Sequence, residues 1–136
     1  MKQVNITRRR IVDNVILLYS LFLVVMFTSN CSILEEKKKE ENSNVSTTIK
    51  SHLEENLKIN SQVDGVFSYA LSIRINKTKT SVDNAFYATG KAIENDEVYK
   101  GLSSCLKSFK SQKNIGKYNI IVNLNLVSSK YSVKIL

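Results

Sequence analysis

The chain offers little reactive chemistry. Its thiols and imidazoles come to two cysteines, Cys31 and Cys105, and one histidine, His52. A Cys–His pair could activate a thiolate, provided the two side chains meet in a polar setting. Cys105 instead falls on the apolar stripe of a predicted helix, where a cysteine acts as a small core residue. His52 has no second histidine, cysteine or aspartate at ligand spacing, so a metal site is not expected and His52 reads as a helix-surface residue. The chain has no GxSxG turn, no glycine-rich phosphate loop and no zinc spacing. The expectation is a non-enzymatic protein with no cofactor and no evident small-molecule substrate.

Cys31 is different because of what precedes it. Lys2 and Arg8-Arg9-Arg10 form a cationic start, and Val15 to Phe27 is a 13-residue apolar run broken only at Tyr19 and Ser20. This is the layout of a secretory signal. A permanent span needs about 20 apolar residues. Extending the run back to Ile11 brings in Asp13 and Asn14, which are costly in lipid. A cleaved leader is therefore favoured over an uncleaved anchor. Phe27-Thr28-Ser29-Asn30-Cys31 resembles the lipobox of bacterial lipoproteins. Thr28 and Asn30 stand where that pattern has leucine and a small residue. The resemblance implies a lipid, such as palmitate, on Cys31. It also implies an outer-membrane address, since Ser32 and not aspartate follows. Thr7 to Val12 is similar to a twin-arginine export motif. A disulfide between Cys31 and Cys105 is the alternative use of the two thiols in an oxidising compartment.

Charge is spread unevenly. Four of the 20 basic residues lie in the leader with one acid, leaving 16 basic and 11 acidic residues from Cys31 onward. That excess suits lipid headgroups, nucleic acid or an acidic partner, and equally a lysine-rich soluble surface. Export argues against nucleic acid. Glu35 to Asn44, EEKKKEENSN, has no apolar residue and reads as a solvated, flexible spacer. At about 3.5 Å per residue, some 14 residues would reach roughly 50 Å. The division expected is a signal peptide over 1–30, a lipidated cysteine with a charged tether over 31–45, and one small domain over 46–136.

Within that domain the patterns alternate between two periods. Ile49, Leu53 and Leu57 predict a helix over Thr47–Lys58. Phe67, Tyr69, Leu71, Ile73 and Ile75 predict a strand over Gly65–Ile75 with the odd-numbered side chains in the core. Asn76–Thr80 suits a hairpin turn. Ser81–Thr89 predicts a second strand, with Val82, Phe86 and Ala88 on one face and Ala85 and Tyr87 on the other. Val98, Leu102, Cys105, Leu106 and Phe109 predict a helix over Asp96–Ser111, capped by Asn95. Lys107, Lys110 and Lys113 at its end could hold phosphates, although the helix dipole alone accounts for them. Tyr118–Leu126 and Tyr131–Leu136 predict two more strands. The fold class is α+β, a two-layer domain in the order α-β-β-α-β-β, with two helices on one face of a small antiparallel sheet of three or four strands. Exposed sheet edges could accept a partner strand.

From Gly65 to Leu126, about 62 residues, the chain resembles the TonB C-terminal domain family, in the form found in gliding-motility proteins of the AgmX/PglI type. The carriers are GVFSYALSI, then SVDNAFYATG, then NDEVYKGLSSCLKSFKS with Asp96-Glu97-Val98 and Cys105-Leu106 in place, then KYNIIVNLNL. The Trp-x-Phe-Pro that follows the family's helix is missing, and the last hairpin is an addition. The chain also has no proline, so it lacks the long Pro-rich spacer of an energy transducer. The resemblance implies the fold and pairing with a partner, and does not imply energy transduction. The expectation that follows is an envelope lipoprotein, lipid-anchored at the outer membrane, whose domain binds another envelope protein. Two alternatives stand beside it. One is a surface-displayed lipoprotein binding host or environmental ligands. The other is an inner-membrane TonB-like subunit with an uncleaved helix.

Overall fold

The structure, a computed structural model, describes residues 2–60 and 62–136, with side chains for 14–24, 32–60 and 62–136. The elements are α1 (Lys2–Asn56), β1 (Val66–Ile75), β2 (Thr80–Tyr87), α2 (Glu97–Ser108), β3 (Gly116–Asn125) and β4 (Lys130–Ile135). The chain divides into two compact units, Met1–Glu40 and Glu41–Leu136. In the first, the described side chains of 14–24 and 32–40 are exposed along the helix. Among the described residues no helix is long and apolar enough to cross a membrane.

The spacer expected over Glu35–Asn44 is helical, and all but one of its side chains are exposed. Lysine and glutamate are good helix formers, and no glycine or proline interrupts them. The second unit also begins earlier than residue 46. Val45 is fully buried with Ile49 and Leu53, so the buried stripe of α1 runs Val45, Ile49, Leu53 at i, i+4, i+8. Leu57 lies just past the helix end and is half-buried.

The second unit is an α+β domain. Its sheet has four antiparallel strands in the order β2-β1-β3-β4. One sheet face carries Tyr69, Leu71, Ile73, Ile75, Ile120, Val122, Leu124 and Val133, all buried against the apolar stripes of α1 and α2. From α2 these are Val98, Leu102, Cys105 and Leu106, followed by its C-cap Phe109. Fully burying one such aliphatic side chain stabilises by about 1.5–3 kcal/mol, so this single core holds the layers together. Gly101 is where α2 comes closest to the segment after α1. A Cβ there would lie 3.2 Å from the Lys58 carbonyl and 3.3 Å from Ile59.

The β1–β2 pairing departs from simple alternation. Ser72 pairs with Asn84 but Ile73 pairs with Val82, which leaves Asp83 as an extra residue in β2. This bulge reverses the phase of the strand. Val82 therefore packs on the core side with Ala85 and Tyr87, instead of sharing a face with Phe86. Phe86 stands on the opposite face, 47% exposed.

Candidate functional site

Asp96 draws together four donors. It is the N-cap of α2, with extended backbone, and its Oδ1 accepts from the amides of Val98 (2.9 Å) and Tyr99 (3.1 Å). The Tyr69 and Tyr87 hydroxyls both donate to its Oδ2, at 2.7 and 2.8 Å. The cap is thus Asp96 and not the expected Asn95, whose φ of +45° departs from the extended conformation a cap adopts. Asn95 Oδ1 instead accepts from Lys100 Nζ at 3.2 Å. Burial pushes the Asp96 carboxyl up, but the hydrogen bonds from Tyr69, the Tyr99 amide, Tyr87 and the Val98 amide outweigh it and hold the group below the usual carboxylate range. Burial first, then the bond to Asp96, raises the Tyr69 hydroxyl. The bond to Asp96 first, then burial, raises that of Tyr87. The two rings stack at 5.6 Å. Both hydroxyls are occupied as donors and Tyr69 is wholly buried. The cluster therefore clamps the start of α2 to β1 and β2. A tyrosine on the core face of a strand needs a partner for its hydroxyl, and that need was the sequence signal for this site.

His52 and Cys105 do come together, but not as a thiolate–imidazole pair. His52 Nε2 lies 2.9 Å from the Cys105 carbonyl oxygen and 3.1 Å from Ser108 Oγ. Asn56 Nδ2 lies 3.3 Å from Nδ1. Nε2 is thereby placed to donate to a carbonyl near the end of α2. The ring also meets Phe109 edge-on at 5.2 Å. His52 is thus a half-buried link between the helices and not a free surface residue. The Cys105 thiol is buried, and burial raises its pKa, which disfavours the nucleophilic form. Cys31 falls in the span of α1, and its side chain lies outside the described residues. Among the described residues, no group of three histidine, cysteine, aspartate or glutamate side chains is placed to hold a metal ion.

Both sheet edges are partly occupied. The Leu136 amide donates to the Asn119 carbonyl, and this register turns the backbone groups of Tyr131, Val133 and Ile135 outward. Of these, the Val133 carbonyl accepts from Ser46 Oγ of α1. At the other edge the chain hooks back, and residue 92 bridges to Phe86. The Tyr87 amide donates to the Lys91 carbonyl, and its own carbonyl accepts from the Gly90 amide. The bulge at Asp83 disturbs the rest of β2.

The outer sheet face is polar across most of its rows. Ser68, Asn123 and Ser132 form one hydrogen-bonded line, and Ser72 donates to Asn119. Between these rows lie Phe86, Ala70 and Ile121, placed side by side by the register. A separate furrow of about 640 Å³ runs beside α2 and includes Asn56, Lys58, Lys100, Gly101 and Ser104. It joins charged, polar and small side chains with no catalytic pairing. No protein-family model, no curated protein and no solved structure matches the chain.

Proposed function

We propose that this chain is a bacterial envelope lipoprotein, held to a membrane by a lipid on Cys31, whose α+β domain binds another envelope protein without catalysing a reaction. The observation that carries the reading is the leader: a cationic start, a 13-residue apolar core from Val15 to Phe27, and Cys31 just beyond it. More than one acyl chain on that cysteine gives stable attachment. The resemblance to TonB C-terminal domains supports a binding role in the envelope. Because each edge strand already carries a local obstruction, the outer face is the better docking surface for a protein partner. There the row of Phe86, Ala70 and Ile121 lies within a polar border, the layout of an interface with an apolar centre and a polar rim.

Metabolic labelling with a fatty-acid analogue tests the anchor. Label should enter the native chain and be lost in Cys31→Ser; equal labelling of both would overturn the reading. Crosslinking in intact cells from a photoreactive residue at Phe86 tests the partner. An envelope protein should be captured there and not from a probe at the buried-face residue Val82.

A further inference from the structure

The fold gathers a basic pole from two segments far apart in sequence. Residues 74–83 and 110–118 contain Arg74, Lys77, Lys79, Lys110, Lys113 and Lys117, with Asp83 as their one acid. The pairing of Ile75 with both Thr80 and Gly116 sets the first segment beside the second. A buried bond from Thr80 Oγ1 to the Phe109 carbonyl, 2.7 Å, ties the same end to the close of α2. All six basic side chains are exposed. Of these six, Arg74 is the one with a salt-bridge partner among the described residues, Asp83 at 3.1 Å. Burial first, then nearby Glu41, raises the Tyr118 hydroxyl, which places a second acid close to this end. The helix dipole explains lysines after α2 but not Lys77, Lys79 or Lys117, which belong to strands and a turn.

An apolar side chain stands within this pole. Ile115, between Lys113 and Lys117, is 45% exposed. The turn before it is pinned by the Asn114 amide donating to Ser111 Oγ at 3.1 Å. We infer that this loop docks the domain on an anionic phospholipid surface, with Ile115 entering the headgroup boundary and the surrounding lysines against lipid phosphates. An apolar tip within a basic ring is the chemistry of an interfacial contact, since each lysine near such a surface adds about fivefold in affinity and the apolar side chain leaves water. An acidic protein would match the lysines and leave Ile115 unexplained. The inference goes beyond the proposed anchor and holds whether or not Cys31 is acylated.

The test uses the full chain with Cys31→Ser and Ile115→Cys, labelled with an environment-sensitive dye, on vesicles of mixed phosphatidylglycerol and phosphatidylcholine or of phosphatidylcholine alone. Emission should shift to the blue on the anionic vesicles only, and high salt should reverse the shift. Lys113→Gln with Lys117→Gln should weaken the response about 25-fold, two lysines at the increment above. A dye at Val127→Cys, also exposed but in the turn at the opposite end of the sheet, should not shift. Hydrogen exchange on the chain without a dye provides a second reading, with amides of residues 111–117 slowed by anionic vesicles. An unshifted dye at 115, an equal shift on both lipids, an equal shift at 127, or unchanged exchange overturns the inference. Loss of fatty-acid labelling at Cys31 would leave these readouts unaffected, so the two ideas fail separately.

Discussion

The Tyr69 hydroxyl donates to Asp96 Oδ2 at 2.7 Å across 27 residues of sequence, from the buried face of β1 to the cap of α2. That one carboxylate serves as a helix cap and as the acceptor for a core tyrosine. Tyr69→Phe should therefore cost more than a surface hydroxyl, about 1–3 kcal/mol, because the lost bond is to a charged group. Urea denaturation measures it. A double-mutant cycle with Tyr87→Phe should show non-additivity, since both hydroxyls share the same oxygen.

The same cluster sets the acid limb of stability. The folded Asp96 carboxyl titrates below its unfolded value, so the unfolded chain binds more protons in the window between the two. The stabilisation is complete above the ordinary carboxylate value near pH 4 and is lost as pH falls through the depressed one. Asp96→Asn should be less stable at neutral pH, and its stability should fall less steeply on acidification. Tyr69 behaves in the opposite sense. Its raised value means that stability present below about pH 10 is lost at higher pH, where the unfolded tyrosine ionises first. Thermal melts across both limbs, for wild type and Tyr69→Phe, check the two signs.

Ile49→Ala should destabilise the second unit by about 2–5 kcal/mol, the range for emptying a fully buried aliphatic site. If the portion of α1 from Glu41 onward were only a tether, the change would be silent. Guanidinium denaturation followed by far-ultraviolet circular dichroism distinguishes these outcomes.

The bulge makes an unusual pair of expectations. Val82→Ala should lower stability by about 1 kcal/mol, because Val82 packs against the core. Phe86→Ser, a larger chemical change, should cost less, because Phe86 stands on the exposed face. Equal urea midpoints for the two variants would argue against the reversed phase.

Most of the fold was legible because its two periods are clean. Leu71, Ile73, Val122 and Leu124 alternate without interruption, and Leu102, Cys105 and Leu106 mark one helical stripe. Alternation failed at Val82, because a single inserted residue reverses a strand's phase and Asp83 bears no mark of being extra. Val45 was missed because the polar run before it masks a core position. The Asp96 cluster was half-legible: the tyrosines were visible on their strands, but their common acceptor depends on the path of the chain between β2 and α2. The basic pole was the least legible part. Arg74 and Lys117 become neighbours in space only once β1 has paired with β3.

The obstructed borders of the sheet carry a last consequence. Under the proposed lipid anchor the chain would be concentrated in two dimensions, where identical sheets meet often and could zip into continuous ribbons. With Ser46 holding the Val133 carbonyl and residues 90–92 folded over the end of β2, neither flank presents an uninterrupted row of free amides and carbonyls. Crowding would then raise encounter frequency without offering an uninterrupted edge as a template for filament growth.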